Sequence, residues 1–310
     1  MNYTVRSRIV AILMTGLLVC VGTVRSAYID EVNADGPSAY YRFEDPTSAD
    51  GDAAADETGS FDGTYTNGVA RVAGVPVIGG LAIDVKDQDP VRYVSQPSSF
   101  NSFGGEMDDG YGIELWVRTT DTSDDKPLLG TLAQNGSDHT GFSIELNRRG
   151  DNFDAQPRAT LFFLRDHTSN FNDFSFHIDH TSDGNIDIYD GQWHHLFWNA
   201  TDPATHRADV YIDGQPQTLT IGRTQSPALG DPFQYDSILG NRNIRGAPAD
   251  SGPVATLDEV AYYADSLSSE RIQAHYLAGV PEPSVAVLAG LVLCTMLGRG
   301  RPRSCSTGAA

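Results

Sequence analysis

Hydrophobic and polar positions alternate in short runs through most of the chain, and the clearest run is Gly191 to Gly214. In its first arm Trp193, His195 and Phe197 alternate with His194, Leu196 and Trp198. Both faces are apolar or aromatic there, as in an inner strand covered on both sides. In the second arm Ala208, Val210 and Ile212 alternate with Asp209, Tyr211 and Asp213, which predicts one buried and one wet face. Thr201 to His206 carries the turn signal Asp202-Pro203, and Asp213-Gly214 offers the positive-φ residue of a tight hairpin. Gln217 to Ile221 alternates again, which predicts a third strand and a three-stranded antiparallel meander.

Similar runs predict strands at Ala39 to Phe43, Leu81 to Asp84, Arg92 to Val94, Tyr111 to Thr119, Leu128 to Leu132, Phe142 to Leu146, Thr160 to Leu164, Phe174 to Ile178 and Thr256 to Tyr263. Only one helix is clear. Ser268 is its N-cap, Glu270 lies in its first turn, Ile272 and Tyr276 share a face, and Gly279 ends it before Pro281. Repeats of 20 to 50 residues are absent, so neither a solenoid nor a propeller is indicated. Short strands without helical crossovers predict an all-β, two-sheet antiparallel sandwich in one domain.

The ordered pieces "NADGPSAYYRFED" (Asn33 to Asp45), "DETGSFDGTYTNG" (Asp56 to Gly68), "GIELWVRT" (Gly112 to Thr119), "GQWHH" with "ADVYIDG", and "LDEVAYYADSLSSERIQAHY" (Leu257 to Tyr276) resemble the LamG-like jelly roll of the concanavalin A-like lectin/glucanase superfamily. The resemblance covers about Ala27 to Ala278. It implies a jelly-roll sandwich and says much less about activity.

Both ends read as addresses. Arg6 and Arg8, the apolar run Ile9 to Val21 and small residues before Ala27 form a secretory signal peptide, residues 1–26, with cleavage after Ser26. Lipidation at Cys20 fits poorly, because Val19 stands where a small residue is wanted. Residues 27–279 then form the jelly-roll domain. Pro281-Glu282-Pro283, the apolar stretch Val285 to Leu297 and Arg299, Arg301 and Arg303 resemble a PEP-CTERM sorting signal over 280–303, followed by a tail at 304–310. That resemblance implies export, a transient membrane span and processing by an exosortase-type transpeptidase. A plain C-terminal transmembrane anchor is the alternative.

Composition sharpens this picture in two ways. The three cysteines, Cys20, Cys294 and Cys305, all lie in the targeting segments, so the exported domain has no disulfide and depends on core packing. The chain carries 41 acidic against 21 basic residues, a net charge of −20. Removing both ends takes away Arg6, Arg8, Arg25, Arg299, Arg301 and Arg303 but only one acid, Glu282. Such a surface disfavours nucleic acid and anionic polymers; it suits divalent cations, cationic surfaces or neutral glycans, or serves solubility alone.

Candidate chemistry is sparse. Laminarinase-like hydrolases of the superfamily place two or three carboxylates on alternate positions of one strand. Here Glu114 and Glu145 each stand alone in their strands and read as outward polar residues. His194 and His195 are adjacent, point to opposite faces of a strand and so cannot clasp one ion; they read as packing histidines. The superfamily resemblance implies a structural calcium between the early loop and the last long strand, at Asp56, Asp62 and Asp258, although the same residues also suit turns and amide contacts. For a glycan, Trp116 and Arg118 share a strand face and Tyr235 lies in a loop-like segment, as do Phe171 and Phe174; Trp116 also suits a core position. The reading that results is an exported, cell-surface or matrix-associated, non-catalytic module for glycan or another extracellular component. A glycoside hydrolase with a non-standard site and a purely structural matrix protein are the alternatives.

Overall fold

A computed structural model describes residues 24–85, 92–97, 110–123, 126–135, 138–148, 155–166, 172–202, 207–224, 237–241, 243–244, 247–248 and 252–281. Most of the predicted signal peptide, the sorting signal from residue 282 onward and Tyr235 and Phe171 lie outside these residues.

The elements run α1 (Val24–Ala34), β1 (Ala39–Tyr41), β2 (Ala53–Ala54), β3 (Gly63–Thr66), β4 (Ala70–Ala73), β5 (Leu81–Val85), β6 (Tyr93–Ser95), β7 (Tyr111–Thr119), β8 (Lys126–Asn135), β9 (Asp138–Arg148) and β10 (Ala155–Asp166). They continue with β11 (Asn172–Asp179), β12 (His194–Asp202), β13 (Arg207–Ile212), β14 (Gln215–Pro216), β15 (Thr220–Thr224), β16 (Ile238–Leu239), β17 (Asn243–Ile244), β18 (Ala247–Pro248), β19 (Ala255–Tyr263) and α2 (Ser269–Gly279). One sheet has the order β14-β13-β12-β7-β19-β5-β4, with β1 also on β19. The second has the order β15-β11-β10-β9-β8-β16-β6-β3-β2.

The sandwich core lies between them. Trp198 from β12 is surrounded by Tyr111, Phe142, Phe162 and Phe176, with ring centroids 5.4, 6.3, 5.6 and 6.0 Å away. β12 lies between β13 and β7, and both its faces are covered: Leu196 and Trp198 belong to the sandwich core and Phe197 to the apolar layer on the other side, as its two apolar faces predicted. The hairpin turn is also as read: Asp213 and Gly214 have φ of 52° and 69°.

The predicted meander does not continue as expected. After β13 the chain makes only the two-residue β14 on the same sheet, and Thr220 to Thr224 crosses to pair with β11 in the other sheet. Alternation fixes which residues face a core, but it does not say which of two packed sheets supplies that core. Phe174, considered as an exposed aromatic for a ligand, lies in the strand predicted from Phe174 to Ile178 and belongs to the sandwich core.

A second helix, α1, was not predicted. Together with α2 it covers the outer face of the first sheet, forming a smaller apolar layer of Tyr28, Val32, Tyr40, Trp116, Phe197, Tyr211, Tyr263 and Ile272. Tyr211, expected on a wet face, is buried under this cover. The α2 boundaries agree with the sequence reading, with the Ser268 hydroxyl accepting from Arg271 N at the N-cap. No helix among the described residues is long and apolar enough to cross a membrane.

Candidate functional site

Polar side chains gather at several places on the outer face of the first sheet. On β7, Glu114, Trp116 and Arg118 share that face because side chains two apart point the same way. The helices cover the first two and stop short of the third.

Glu114 was expected to face outward as an ordinary polar residue. It does point away from the sandwich core, yet it is fully buried, and its carboxylate is the hub of a network. His195 Nε2 and Tyr28 OH donate to Oε1 at 2.6 and 2.9 Å, and Tyr263 OH and His275 Nδ1 donate to Oε2 at 2.6 and 3.0 Å. On its other side His275 Nε2 donates to Asp35 at 2.8 Å, and Asp35 also receives Arg271 Nε at 2.9 Å. The network therefore joins α1, α2, β7, β12 and β19. Burial alone raises the Glu114 carboxyl, but the charge and hydrogen bonds of His275 and His195 outweigh it and hold it well below the ordinary range.

His275 has a carboxylate at each ring nitrogen, so donating to both requires the imidazolium form. Burial lowers its pKa, and Glu114 and Asp35 more than reverse that, leaving it raised above the ordinary 6.5. A base with a raised folded pKa contributes stability that is complete below 6.5 and is lost as pH rises through the folded value. The stability gap between the unmodified chain and His275→Gln, from denaturant titrations across pH, is therefore expected to be widest below 6.5 and to shrink on the alkaline side. A gap that widens with pH would contradict the imidazolium assignment.

Glu145 is likewise buried rather than exposed, receiving Arg148 Nη1 at 2.5 Å. The adjacent histidines diverge as expected: His194 meets Asp213 at 2.8 Å and Asp190 at 3.1 Å, while His195 turns to Glu114. Acid and imidazole groups converge at Glu114, but all of Glu114, His195 and His275 are sealed from solvent, so with both helices seated no substrate reaches them. Trp116 is sealed too, at 1% exposure, stacked on Tyr276 and edge-on to Tyr28. It offers no open ring face to a sugar.

The residues expected to hold calcium have protein partners. The Asp56 carboxylate accepts Tyr40 N (2.7 Å), Thr58 N (3.1 Å), Ser60 N (3.1 Å), Phe61 N (3.0 Å) and the Thr58 hydroxyl. Asp62 accepts Asp56 N at 2.9 Å, so these two acids organise one loop. Asp258 is fully buried and accepts Val75 N and Glu259 N, each at 3.0 Å. Burial, reinforced by the neighbouring Glu259, raises its carboxyl well above the usual range. Asp56 and Asp258 thus engage different partners. Among the described residues no group of three or more His, Cys, Asp or Glu is arranged to hold a metal.

Arg118 stands where the helical cover ends. Register places Thr256 of β19 between Arg118 of β7 and Asp84 of β5. Neighbouring strands are about 4.8 Å apart, so this row spans roughly 10 Å. It edges an open cleft of about 180 Å³ whose rim includes Gly191 and Val254, the latter 44% exposed. Trp193 lies behind Arg118, with the guanidinium carbon 4.9 Å from its ring centroid, and Arg118 Nη2 donates to Thr256 Oγ1 at 3.3 Å. Among the described residues Arg118 forms no ion pair. Stacking occupies the flat face of a guanidinium and leaves its edge N–H groups directed outward. Sequence reasoning chose Arg118 but missed Asp84 and Thr256, which lie far apart in the chain and meet only through strand register.

The profile of a family described as Laminin_G_3, Concanavalin A-like lectin/glucanases superfamily, matches residues 89–273. A search of curated proteins finds no match. Among solved structures the chain is similar to the binding domain of Botulinum neurotoxin DC in complex with SialylT (TM-score 0.54, 12% identity, 79% of this chain and 52% of that one). It is also similar to the same domain in complex with rat synaptotagmin II (TM-score 0.53, 11% identity, 80% and 52%) and to the Botulinum neurotoxin serotype G binding domain (TM-score 0.50, 13% identity, 78% and 51%). The chain spans about half the length of these structures, and at such identities the likeness is one of fold.

Proposed function

From the premise that this chain belongs to the concanavalin A-like lectin/glucanase superfamily, we propose that it is an exported, non-catalytic binding module for an extracellular glycan. The carrying observation is the row Asp84, Thr256 and Arg118 along an open cleft at the uncovered end of the first sheet. Hydrogen-bonding groups held on rigid strands, with an apolar neighbour in Val254, are what orients a sugar. The toxin binding domains add support by analogy, since one is recorded with a sialylated ligand and one with a protein receptor.

The hydrolase reading is weaker on one specific point. Glycoside hydrolysis generally uses two carboxyl groups flanking the scissile bond, about 5 Å or 6.5–9.5 Å apart, and Asp84 is the single carboxylate among the described residues lining the cleft. Export through the N-terminal signal, retention at the cell surface or matrix, and processing of the C-terminal segment by an exosortase-type transpeptidase belong to the same proposal.

A glycan array probed with the full-length chain, with and without calcium, tests it. Arg118→Ala is expected to lower the affinity of array hits roughly tenfold, about 1.4 kcal/mol. Trp193→Ala acts through the position of Arg118 and is expected to have a smaller effect in the same direction. Absence of any glycan binding by the unmodified chain would leave the structural matrix reading in its place, and turnover of an arrayed glycan would restore the enzyme reading.

A further inference from the structure

We propose that, before its ends are processed, the domain docks on the lipid bilayer by one end of its helix pair, where the two chain ends leave it side by side toward neighbouring membrane segments. This rests on the export reading above and adds to it the face that meets the membrane. The two helices run antiparallel. Asp35, just past the end of α1, receives Arg271 Nε and His275 Nε2 of α2 at 2.9 and 2.8 Å. Tyr28, near the start of α1, lies against the other end of α2: a β-carbon placed on Gly279 would come within 3.2 Å of the Tyr28 ring and would overlap Trp116. The start of α1 and the end of α2 therefore share one corner of the domain.

The sequence beyond that corner is a mirror image. Reading outward from the domain, each end gives a few residues, a largely apolar run and then arginines: Val21 back to Ile9 followed by Arg8 and Arg6 on one side, Val285 to Leu297 followed by Arg299, Arg301 and Arg303 on the other. Arginines flanking a membrane segment stay on the side from which the chain is exported, so both segments point the same way and the domain lies across the membrane from their charged ends. Val21 is three residues before α1 and Val285 is six residues after α2. Six residues of extended chain reach about 20 Å at most. Two such short tethers at one corner hold that corner toward the bilayer. Leu277 belongs to the same face: it sits in the last turn of α2 and is 55% exposed, one of three large exposed apolar side chains among the described residues. Beside the chain exit it gains by entering the bilayer interface. With a net charge of −20, the contact is one of apolar groups with lipid rather than of charge with anionic headgroups.

The test reconstitutes the full-length, uncleaved chain, carrying Cys20→Ser, Cys294→Ser and Cys305→Ser, into phosphatidylcholine vesicles. Gly22→Cys with Ser284→Cys puts one thiol at the domain side of each apolar run, whereas Gly22→Cys with Gly298→Cys puts them at opposite sides. Intramolecular disulfide formation is expected to be at least tenfold faster for the first pair, and Gly279→Val, which forces α2 away from Trp116 and Tyr28, should slow it severalfold. A fluorophore on Leu277→Cys should be quenched by nitroxide-labelled lipid at least twice as strongly as one on Glu270→Cys, about 10 Å further along the helix. Vesicle-bound chain whose first pair links no faster than the second, or whose two labels are quenched alike, overturns the inference while leaving membrane attachment intact. So does linking that ignores Gly279→Val, with the melting midpoint showing that this variant is folded; the quenching comparison needs no change at Gly279 and decides the matter if it is not. Chain that stays in solution overturns both this inference and the membrane attachment on which it rests, and leaves glycan binding to the array.

Discussion

Glu114→Gln is expected to lower the melting midpoint by roughly 6 to 20 °C. Glu114 is fully buried and accepts from Tyr28, His195, Tyr263 and His275. Glutamine keeps the shape but removes the charge opposite the His275 imidazolium, and its amide nitrogen brings a donor into a pocket of donors. Removing one partner of a buried ion pair costs about 3 to 5 kcal/mol. For a domain of this size each kcal/mol moves the midpoint by roughly 2 to 4 °C. Thermal unfolding of Glu114→Gln, His275→Gln and the double variant measures both the cost and the coupling, which should exceed about 0.5 kcal/mol for groups in direct contact. A midpoint within 2 °C of the unmodified chain would mean that the network does not hold the helices in place.

Asp56→Ala is expected to be nearly as damaging. Its carboxylate collects four backbone amides and the Thr58 hydroxyl, and it sits at 4% exposure. A buried donor left without a partner costs about 1 to 3 kcal/mol. Some of these amides recover water in the loop, so a loss of about 3 kcal/mol is the expectation, read as a fall in the denaturant midpoint. The proposal of a structural calcium at Asp56, Asp62 and Asp258 makes a separate demand. Calcium at a hundred times Kd stabilises by about 2.7 kcal/mol, so chelation should then lower the midpoint of the unmodified chain and Asp258→Ala should remove the calcium-dependent part. An unmodified chain indifferent to chelator would leave Asp56 acting through its amides alone.

The long strands were readable from the apolar residues that recur along their core-facing side, as in Tyr111–Thr119 and Ala255–Tyr263, although both strands are buried on their other face as well. The α2 helix was readable through Ser268 and Gly279. What the pattern could not convey was a third layer. Tyr28 to Ala34 carries no strong amphipathic stripe, so α1 was missed, and without α1 nothing in the sequence marks Glu114 as buried. The carboxylate looks like any polar residue on an outward face until two helices cover it. The candidate cleft escaped for a different reason. Asp84, Arg118 and Thr256 come from three strands distant in sequence, and only register brings them into one row.

The cover over the first sheet has a consequence for the order in which the chain is made. Its two halves come from opposite ends of the domain: His275 reaches Glu114 across 161 residues and Asp35 across 240. Synthesis runs from the N-terminus, so α1 and every strand of both sheets emerge before α2 does. Until His275 is added, Asp35 and Glu114 lack the cation that joins them, and Trp116 lacks the stacked ring of Tyr276. The aromatic outer face of the sheet is therefore the last surface of the nascent chain to be closed.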